Sequence, residues 1–253
     1  MTTMTKNANK TVSVIVPCYN GSATIADCLS SIITQDYSDI EVVVVDNGSV
    51  DDSQNIARRV LSEGQCEHKI LSEPRKGVTF ARNLGIKFCS GRYICFLDVD
   101  DKLLEKSISQ RVTFMERNKL SITFAAYNRV SKRKCRLIKV KKDVTFNEML
   151  NRNHLPNLTA MYDSEILGKH FQKHVGHEDF EMWLRLIKLA KVAKSSSCDV
   201  PIAEYNNSIA GLSSNKVTAA IWHWKILSLH VKNPFRRLLH FSHYAFHSIA
   251  SRL

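Results

Sequence analysis

The sequence predicts an α/β fold: a mostly parallel sheet flanked by helices, Rossmann-like in its first half, with a C-terminal helical extension. Three observations carry that expectation. Short β-branched runs alternate with amphipathic helical stretches up to about residue 97, the spacing of repeated βαβ units. The apolar run Ile94-Cys95-Phe96-Leu97 stops at Asp98-Val99-Asp100-Asp101, so three carboxylates stand where a buried strand has to end. The last forty residues space their apolar side chains as two helices do.

Taken in order, Thr11 to Val16 reads as a first strand closed by Pro17. Asn20-Gly21-Ser22 is expected to open a helix running to about Thr34, with Ile25, Leu29, Ile32 and Ile33 on one face. Ile40 to Val45 forms a second strand ending in Asp46-Asn47-Gly48-Ser49, and Asp51-Asp52-Ser53 supplies the cap of a helix over 53–63. A short third strand spans Ile70 to Ser72, a third helix Gly77 to Cys89, and a fourth strand Tyr93 to Leu97. Pro17, Asp46 and Asp98 then share the carboxyl edge of the sheet, where open α/β sheets bind ligands.

Beyond Asp101 a helix over about 103–118 leads to a strand from Ser121 to Tyr127. Arg129 to Lys142 packs eight basic residues into fourteen around Val130, Leu137, Ile138 and Val140, the pattern of a basic hairpin or of an edge strand protected by lysine. Gly176-His177-Glu178-Asp179 precedes Phe180, Trp183, Leu184, Ile187 and Leu189 at helical spacing, which puts two acids on a helix N-terminus where the macrodipole favours them. Capping explains one acid, and the glycine is expected to let the backbone approach a ligand. At the C-terminus, Val217, Ile221, Trp224, Leu227 and Val231 form one stripe. After Pro234, Phe235, Leu238, Leu239, Ala245, Phe246 and Ile249 form another, with Arg236, Arg237, His240, His243 and His247 largely elsewhere. Such basic amphipathic helices lie in a membrane interface or pack on a partner or on the rest of the chain.

Composition is that of a globular protein, 44% hydrophobic and 24% charged. The net charge of +12 is unevenly placed. Residues 1–101 carry 10 Lys+Arg and 13 Asp+Glu; the totals of 36 and 24 leave 26 and 11 for residues 102–253. The second part therefore expects an anionic partner. The seven cysteines show no disulfide or metal-ligand spacing and read as reduced thiols, and the histidines from 170 onward suggest no metal site. MTTMTKNANK lacks a signal peptide's apolar core, and no uninterrupted apolar run approaches the roughly 18 residues of a membrane span. The expected location is cytoplasmic, with membrane contact at most peripheral on the inner face.

The first turn, Pro17-Cys18-Tyr19-Asn20-Gly21-Ser22, lacks the GxGxxG of a dinucleotide fold, and it does not resemble the glycine-rich turn of sugar nucleotidylyltransferases. No P-loop is present. Asp46 is available to a nucleobase or ribose or, alternatively, to loop capping. The carboxylates after Leu97 suit Mg²⁺ or Mn²⁺, which proteins hold with one or two carboxylates and substrate phosphates, or else form an acidic turn. Nucleic-acid binding is disfavoured because no stacking motif or recognition-helix pattern accompanies the charge.

Four stretches together resemble the family 2 glycosyltransferases of the GT-A fold: VSVIVPCYN (12–20), VVVVDNGSVDDS (42–53), KGVTFARNLGI with GRYICFLDVDD (76–101), and HEDFEMWLRL (177–186). The resemblance covers about residues 10–190. It implies an inverting, metal-dependent transfer from a nucleoside diphosphate sugar, UDP-linked by preference, to a hydroxyl of a glycan or lipid-linked saccharide in cell-surface polysaccharide synthesis of the bacterial type. By that resemblance Pro17 and Tyr19 line the nucleotide pocket, Asp46 binds the base, and Arg82 stands near base and diphosphate. Asp98 holds the ribose, Asp100 ligates Mn²⁺ or Mg²⁺, Asp179 is the catalytic base and Glu178 lies against substrate. It divides the chain into a donor half (1–101), an acceptor half (102–215) and C-terminal amphipathic helices (216–253). One departure is visible: where relatives carry a Tyr-Arg-x-His segment, Tyr205 is followed by Asn206, Asn207 and Ser208, leaving Ser213, Ser214 or no residue for that role. A non-catalytic nucleic-acid or nucleotide-sugar binding protein is the alternative.

Overall fold

The structure, a computed structural model, describes residues 10–64, 66–132, 134–206 and 216–250. The expected strand–helix alternation forms its first half: β1 (Val12–Cys18), α1 (Ile25–Ile33), β2 (Ile40–Asp46), α2 (Ser53–Glu63), β3 (Glu67–Ser72), α3 (Val78–Phe88) and β4 (Tyr93–Phe96). The four strands pair in parallel in the order β3-β2-β1-β4. Every residue of β1, β2 and β4 is buried, because helices cover both faces of these strands.

Past β4 the chain builds β5 (Lys102–Leu103), α4 (Ser107–Asn118), β6 (Ile122–Ala125), β7 (Tyr127–Ser131), β8 (Lys134–Ile138), β9 (Asp143–Thr145), α5 (Phe146–Asn151), β10 (Met161–Asp163) and α6 (Ser164–Leu167). The series closes with α7 (Glu178–Ala190), β11 (Val192–Ser197), β12 (Ala203–Asn206), α8 (Lys216–His230) and α9 (Pro234–Ala250). β10 enters antiparallel between β4 and β6, and β11 and β9 extend the main sheet to eight strands. β5, β12, β7 and β8 form a second, four-stranded sheet. The even side chains of β1 and β2 (Val14, Val16, Val42, Val44) pack with Leu29, Leu61 and Val112 on one face, and Ile15, Val43 and Val45 join Phe96, Trp183 and Ile226 on the other.

Several expected boundaries move, each for a local reason. Asn20-Gly21-Ser22 does not cap α1. Asn20 sits at φ 49°, Gly21 N–H donates to Ser53 Oγ (2.8 Å) and Ser22 N–H to Asp51 Oδ2 (2.9 Å), so the stretch is clipped to the loop after β2 and the helix starts at Ile25. Asp52 caps α2 only by position, since Asp51 is the residue whose carboxylate accepts from the Ser53 N–H, at 3.2 Å. β3 begins at Glu67, earlier than its apolar residues, because an edge strand needs ladder bonds and not burial. Lys102–Leu103 pairs with β12 instead of starting α4. The run from Ser121 to Tyr127 changes sheet at Ala126, whose N–H and C=O are taken by Ser197 and Ile202. The basic stretch is an antiparallel hairpin, as expected, with Arg129 opposite Arg136.

The C-terminal stripes turn out differently. In α8 it is Ala219, His223, Ile226 and Leu227 that are buried, while Val217 and Ile221 are exposed. In α9 Phe235, Leu238, Leu239 and Phe246 remain exposed. The side chains of His247 and Ile249 are not described, and Ser213 and Ser214 lie outside the described residues. Ile226, Leu227 and Val231 join the main core, and His223 is stacked between Phe180 (5.3 Å) and Tyr244 (3.9 Å). The seven cysteines are free, and among the described residues no helix is long and apolar enough to cross a membrane.

Candidate functional site

The carboxylates after β4 look equivalent in sequence and have different environments in the fold. Leu97 N–H makes the last bond to β1, at Ile15 O (3.0 Å), and Asp101 N–H turns back to Asp98 O (2.9 Å). Asp101 is buried, and its Oδ1 accepts from the Asn206 N–H of β12 at 2.9 Å. Burial, then the Asp98 charge, pushes its carboxyl up to about 8 despite that bond. Burial also raises Asp100. Asp98 Oδ1 accepts from Arg82 Nη2 at 2.6 Å.

Arg82 is the hub of the arrangement. α3 carries it into the interior, where burial opposes its charge, but Asp98 first, then Asp179 and Glu178, outweigh burial and hold its pKa up. Among the described residues its buried Nε has no hydrogen-bond partner. The neighbouring Asn83 fixes the distance to the third acidic element: its Nδ2 donates to Gln172 O (2.9 Å) and its Oδ1 accepts from Gln172 N–H (2.7 Å). The segment leading to α7 is thereby fastened to α3.

Glu178 and Asp179 occupy the first turn of α7, as expected, with His177 at the N-cap position. Glu181, one residue beyond Phe180, turns the other way and is buried. Arg185 Nε (2.9 Å), Lys173 Nζ (3.2 Å) and His230 Nε2 (3.4 Å) surround it. Burial pushes its carboxyl up, but His230, Arg185 and Lys173 outweigh that and hold it down at about 2. Gly176 lines the same cavity as Glu178 and Asp179. It sits at φ 107° beneath Trp222 of α8, and a Cβ there would lie 2.2 Å from the indole ring.

Arg82, Asp98, Asp100, Glu178 and Asp179 line one cavity of about 980 Å³. Pro17, Tyr19 and Asp46 lie outside its lining, at the ends of the neighbouring strands β1 and β2, where Pro17 is paired with Val45 and Cys18 with Asp46. Pro17 and Asp46 are buried and Tyr19 is exposed. Asp46 accepts from Gln54 Nε2 (2.8 Å) and weakly from Ser49 N–H (3.3 Å). Asn47 clamps the next loop, donating to Glu73 O (2.9 Å) and Arg75 O (2.7 Å) and accepting from Gly77 N–H (2.8 Å).

Sequence reasoning missed other parts of the cavity lining: Tyr127, in edge-to-face contact with Tyr205 at 6.3 Å, Lys139, Lys141 and Arg152, and Trp222 from α8. Only the charge of the basic hairpin signalled any of it. No three His, Cys, Asp or Glu side chains among the described residues converge as a ready-made metal cage. Asp98 and Asp100, hard oxygen donors on a half-buried loop beside an unsatisfied guanidinium, fit instead an ion that takes its remaining ligands from a phosphate.

The family model for glycosyl transferase family 2 matches residues 13–171. An Escherichia coli protein, UDP-Glc:alpha-D-GlcNAc-diphosphoundecaprenol beta-1,3-glucosyltransferase WfgD, is 30% identical over 92% of this chain and 91% of its own. The putative teichuronic acid biosynthesis glycosyltransferase TuaG of Bacillus subtilis is 30% identical over 84% and 85%. Among solved structures, S. aureus TarS 1–349 in complex with UDP-GlcNAc superposes with a TM-score of 0.70 at 20% identity, over 87% of this chain and 65% of that one. A Pyrobaculum calidifontis mannosyltransferase in complex with GDP-Man and Mn²⁺ gives 0.67 at 19% identity, over 92% and 69%. The fold is therefore the GT-A fold.

Proposed function

The chain belongs to glycosyl transferase family 2 and is a glycosyltransferase; we propose that it moves a sugar, with inversion, from a UDP-linked donor to a hydroxyl of a lipid-linked saccharide in cell-surface glycan synthesis. The observation that carries this reading is the place of Arg82, bonded to Asp98 and held within the field of Asp179 and Glu178 in one cavity. The nucleotide lies along the ends of β1 and β2, with Asp46 on the base and Pro17 and Tyr19 beside it. Asp98 takes the ribose, and the unpartnered Nε of Arg82 faces the diphosphate.

Mn²⁺ or Mg²⁺ held by Asp100, with Asp98 alongside, would neutralise the charge that builds on the departing nucleoside diphosphate. Asp179 accepts the proton of the acceptor hydroxyl as its oxygen attacks the anomeric carbon. The C1–O bond to the diphosphate breaks as the new C1–O bond forms on the opposite face, so an α-linked donor yields a β-linked product. Glu178 borders the same substrate. The WfgD name gives UDP-Glc as donor and a diphosphoundecaprenol-linked GlcNAc as acceptor for that protein; a hexosyl or N-acetylhexosaminyl donor and an acceptor of that kind are the reading for this chain. Residues 1–101 then serve the donor and 102–215 the acceptor. Residues 216–253 would hold the enzyme against the inner membrane face, a role supported by the exposed Phe235, Leu238, Leu239 and Phe246 of α9 flanked by Arg236 and Arg237.

Calorimetric titration of UDP with Mn²⁺ and with excess chelator, on wild type and Asp179→Asn, tests the reading. Metal-dependent UDP binding in both proteins is expected, with sugar transfer in the variant reduced about 10²–10⁴-fold. Undiminished transfer by Asp179→Asn would remove the base, and UDP binding indifferent to chelator would remove the metal.

A further inference from the structure

We propose that Lys139, Lys141 and Arg152 form a binding site for the diphosphate of the acceptor. The proposal rests on the reading of this cavity as a glycosyltransferase site and assigns its acceptor a charge.

The cavity's charges are sorted by where they come from. The end of β4 and the start of α7 supply Asp98, Asp100, Asp101, Glu178 and Asp179, with Arg82 among them. The segment after β8 and the end of α5 supply Lys139, Lys141 and Arg152, with Glu148 as the acid of that part. Glu148 is already engaged, since it takes Lys141 Nζ at 2.8 Å and completes the capping box of α5 with Thr145. No carboxylate of the described residues pairs with Lys139 or Arg152. A concave surface with an excess of one sign focuses potential on a ligand of the other.

These cations sit on a fixed frame. Val140, between the two lysines, donates its N–H to Cys198 O at 3.0 Å and packs on the core, and Arg152 N–H closes α5 onto Met149 O at 3.1 Å. Exposed cations that line one cavity gain nothing from a neutral glycan. The donor's own diphosphate is provided for at Asp98, Asp100 and Arg82, which leaves these cations for a second anion. α8 offers an attached lipid an apolar surface at the same cavity: Trp222 is in the lining, and Ile221 and Trp224 are exposed. A saccharide diphosphate carried on a lipid is the ligand class with a charge and an apolar tail in that order.

The test titrates decyl diphosphate and decyl maltoside into the full chain in excess chelator, so that a metal-dependent donor site is silent. Wild type is expected to bind the diphosphate at least 10-fold more tightly than the maltoside. Lys139→Gln/Arg152→Gln is expected to lose about 10-fold or more in diphosphate affinity, and Lys139→Arg/Arg152→Lys to keep most of it. Equal binding of the two amphiphiles by wild type, or undiminished diphosphate binding by the Gln double variant, would overturn the proposal. UDP titrated with Mn²⁺ reports separately on the donor reading: its failure leaves the decyl diphosphate result to stand or fall by itself.

Discussion

Replacing Gly176 by alanine asks whether α8 is part of the active-site frame. The methyl group would sit 2.2–2.5 Å from three atoms of the Trp222 ring, and the backbone there holds φ 107°. A side-chained residue in that region costs about 1–3 kcal/mol, and a wedge in a packed contact about 1–3 kcal/mol more. Together these give roughly 2–6 kcal/mol, or a fall in Tm of roughly 4–15 °C for a chain of this size. Because Gly176 lies two residues before Glu178, relief of the clash would also move the first turn of α7 and lower turnover. The decisive assay is a double-mutant cycle by thermal melting with Trp222→Ala, whose smaller side chain removes the wedge but leaves the backbone penalty. The double variant should recover about 1–3 kcal/mol relative to the sum of the singles. A Gly176→Ala melt within about 1 °C of wild type, or strict additivity, would refute the account of α8 as a lid on this glycine.

Acid should loosen the same helix. Burial, with His177 and His240 nearby, lowers His223 from 6.5 to about 4, so the unfolded chain binds its proton first. Its contribution is complete above pH 6.5 and declines as pH falls from 6.5 toward 4, by up to about 3 kcal/mol. Glu181, depressed from 4.5 to about 2, loses its contribution only below 4.5. Asp101 works the other way, its carboxyl raised to about 8 adding stability as pH falls over the same range, so urea unfolding at pH 7.5, 5.5 and 4.5 should show wild type losing stability relative to His223→Phe, and a difference between the two proteins that stays constant across that range would contradict the assignment. For α9, Leu238→Gln/Leu239→Gln should weaken sedimentation with anionic lipid vesicles about 10-fold or more, since each leucine is worth about 1.5–3 kcal/mol when removed from water. Failure of wild type to bind such vesicles, or equal binding by the variant, counts against a membrane role.

The part of the fold legible in the sequence is the part written in contiguous runs. β1, β2 and β4 are fully buried parallel strands, so burial and β-branching coincide, and the Asp98 and Asp179 positions follow from strand end and helix start. Legibility failed where partners lie far apart in the chain. Lys102–Leu103 pair with Ala203 and Glu204, and β10 slips between β4 and β6 with three residues, too few for any periodicity to announce. In α8 the apolar stripe misled because the buried face is filled by His223 and small or aliphatic residues, and a stacked, neutral histidine looks polar in a sequence pattern. Asp101 looked equivalent to Asp98 and Asp100 because nothing local reveals that Asn206 will bond it.

That last contact ties together the two parts of the chain proposed to serve donor and acceptor. The loop of Asp98 to Asp101 is held from one side by Arg82 of α3 and from the other by the Asn206 N–H of β12, 105 residues downstream. Asn83, next to Arg82, is in turn bonded on both sides to Gln172, on the path to Asp179. The carboxylates proposed for the donor and the carboxylate proposed as base are thus referred to one helix, α3, through adjacent residues. A shift of α3 pulls on both sets through these bonds, whereas a shift of the segment at Gln172 alone has to break two hydrogen bonds. Arg82 and Asn83 thus tie together, through adjacent positions of one helix, the two sets of carboxylates whose spacing the proposed in-line displacement depends on.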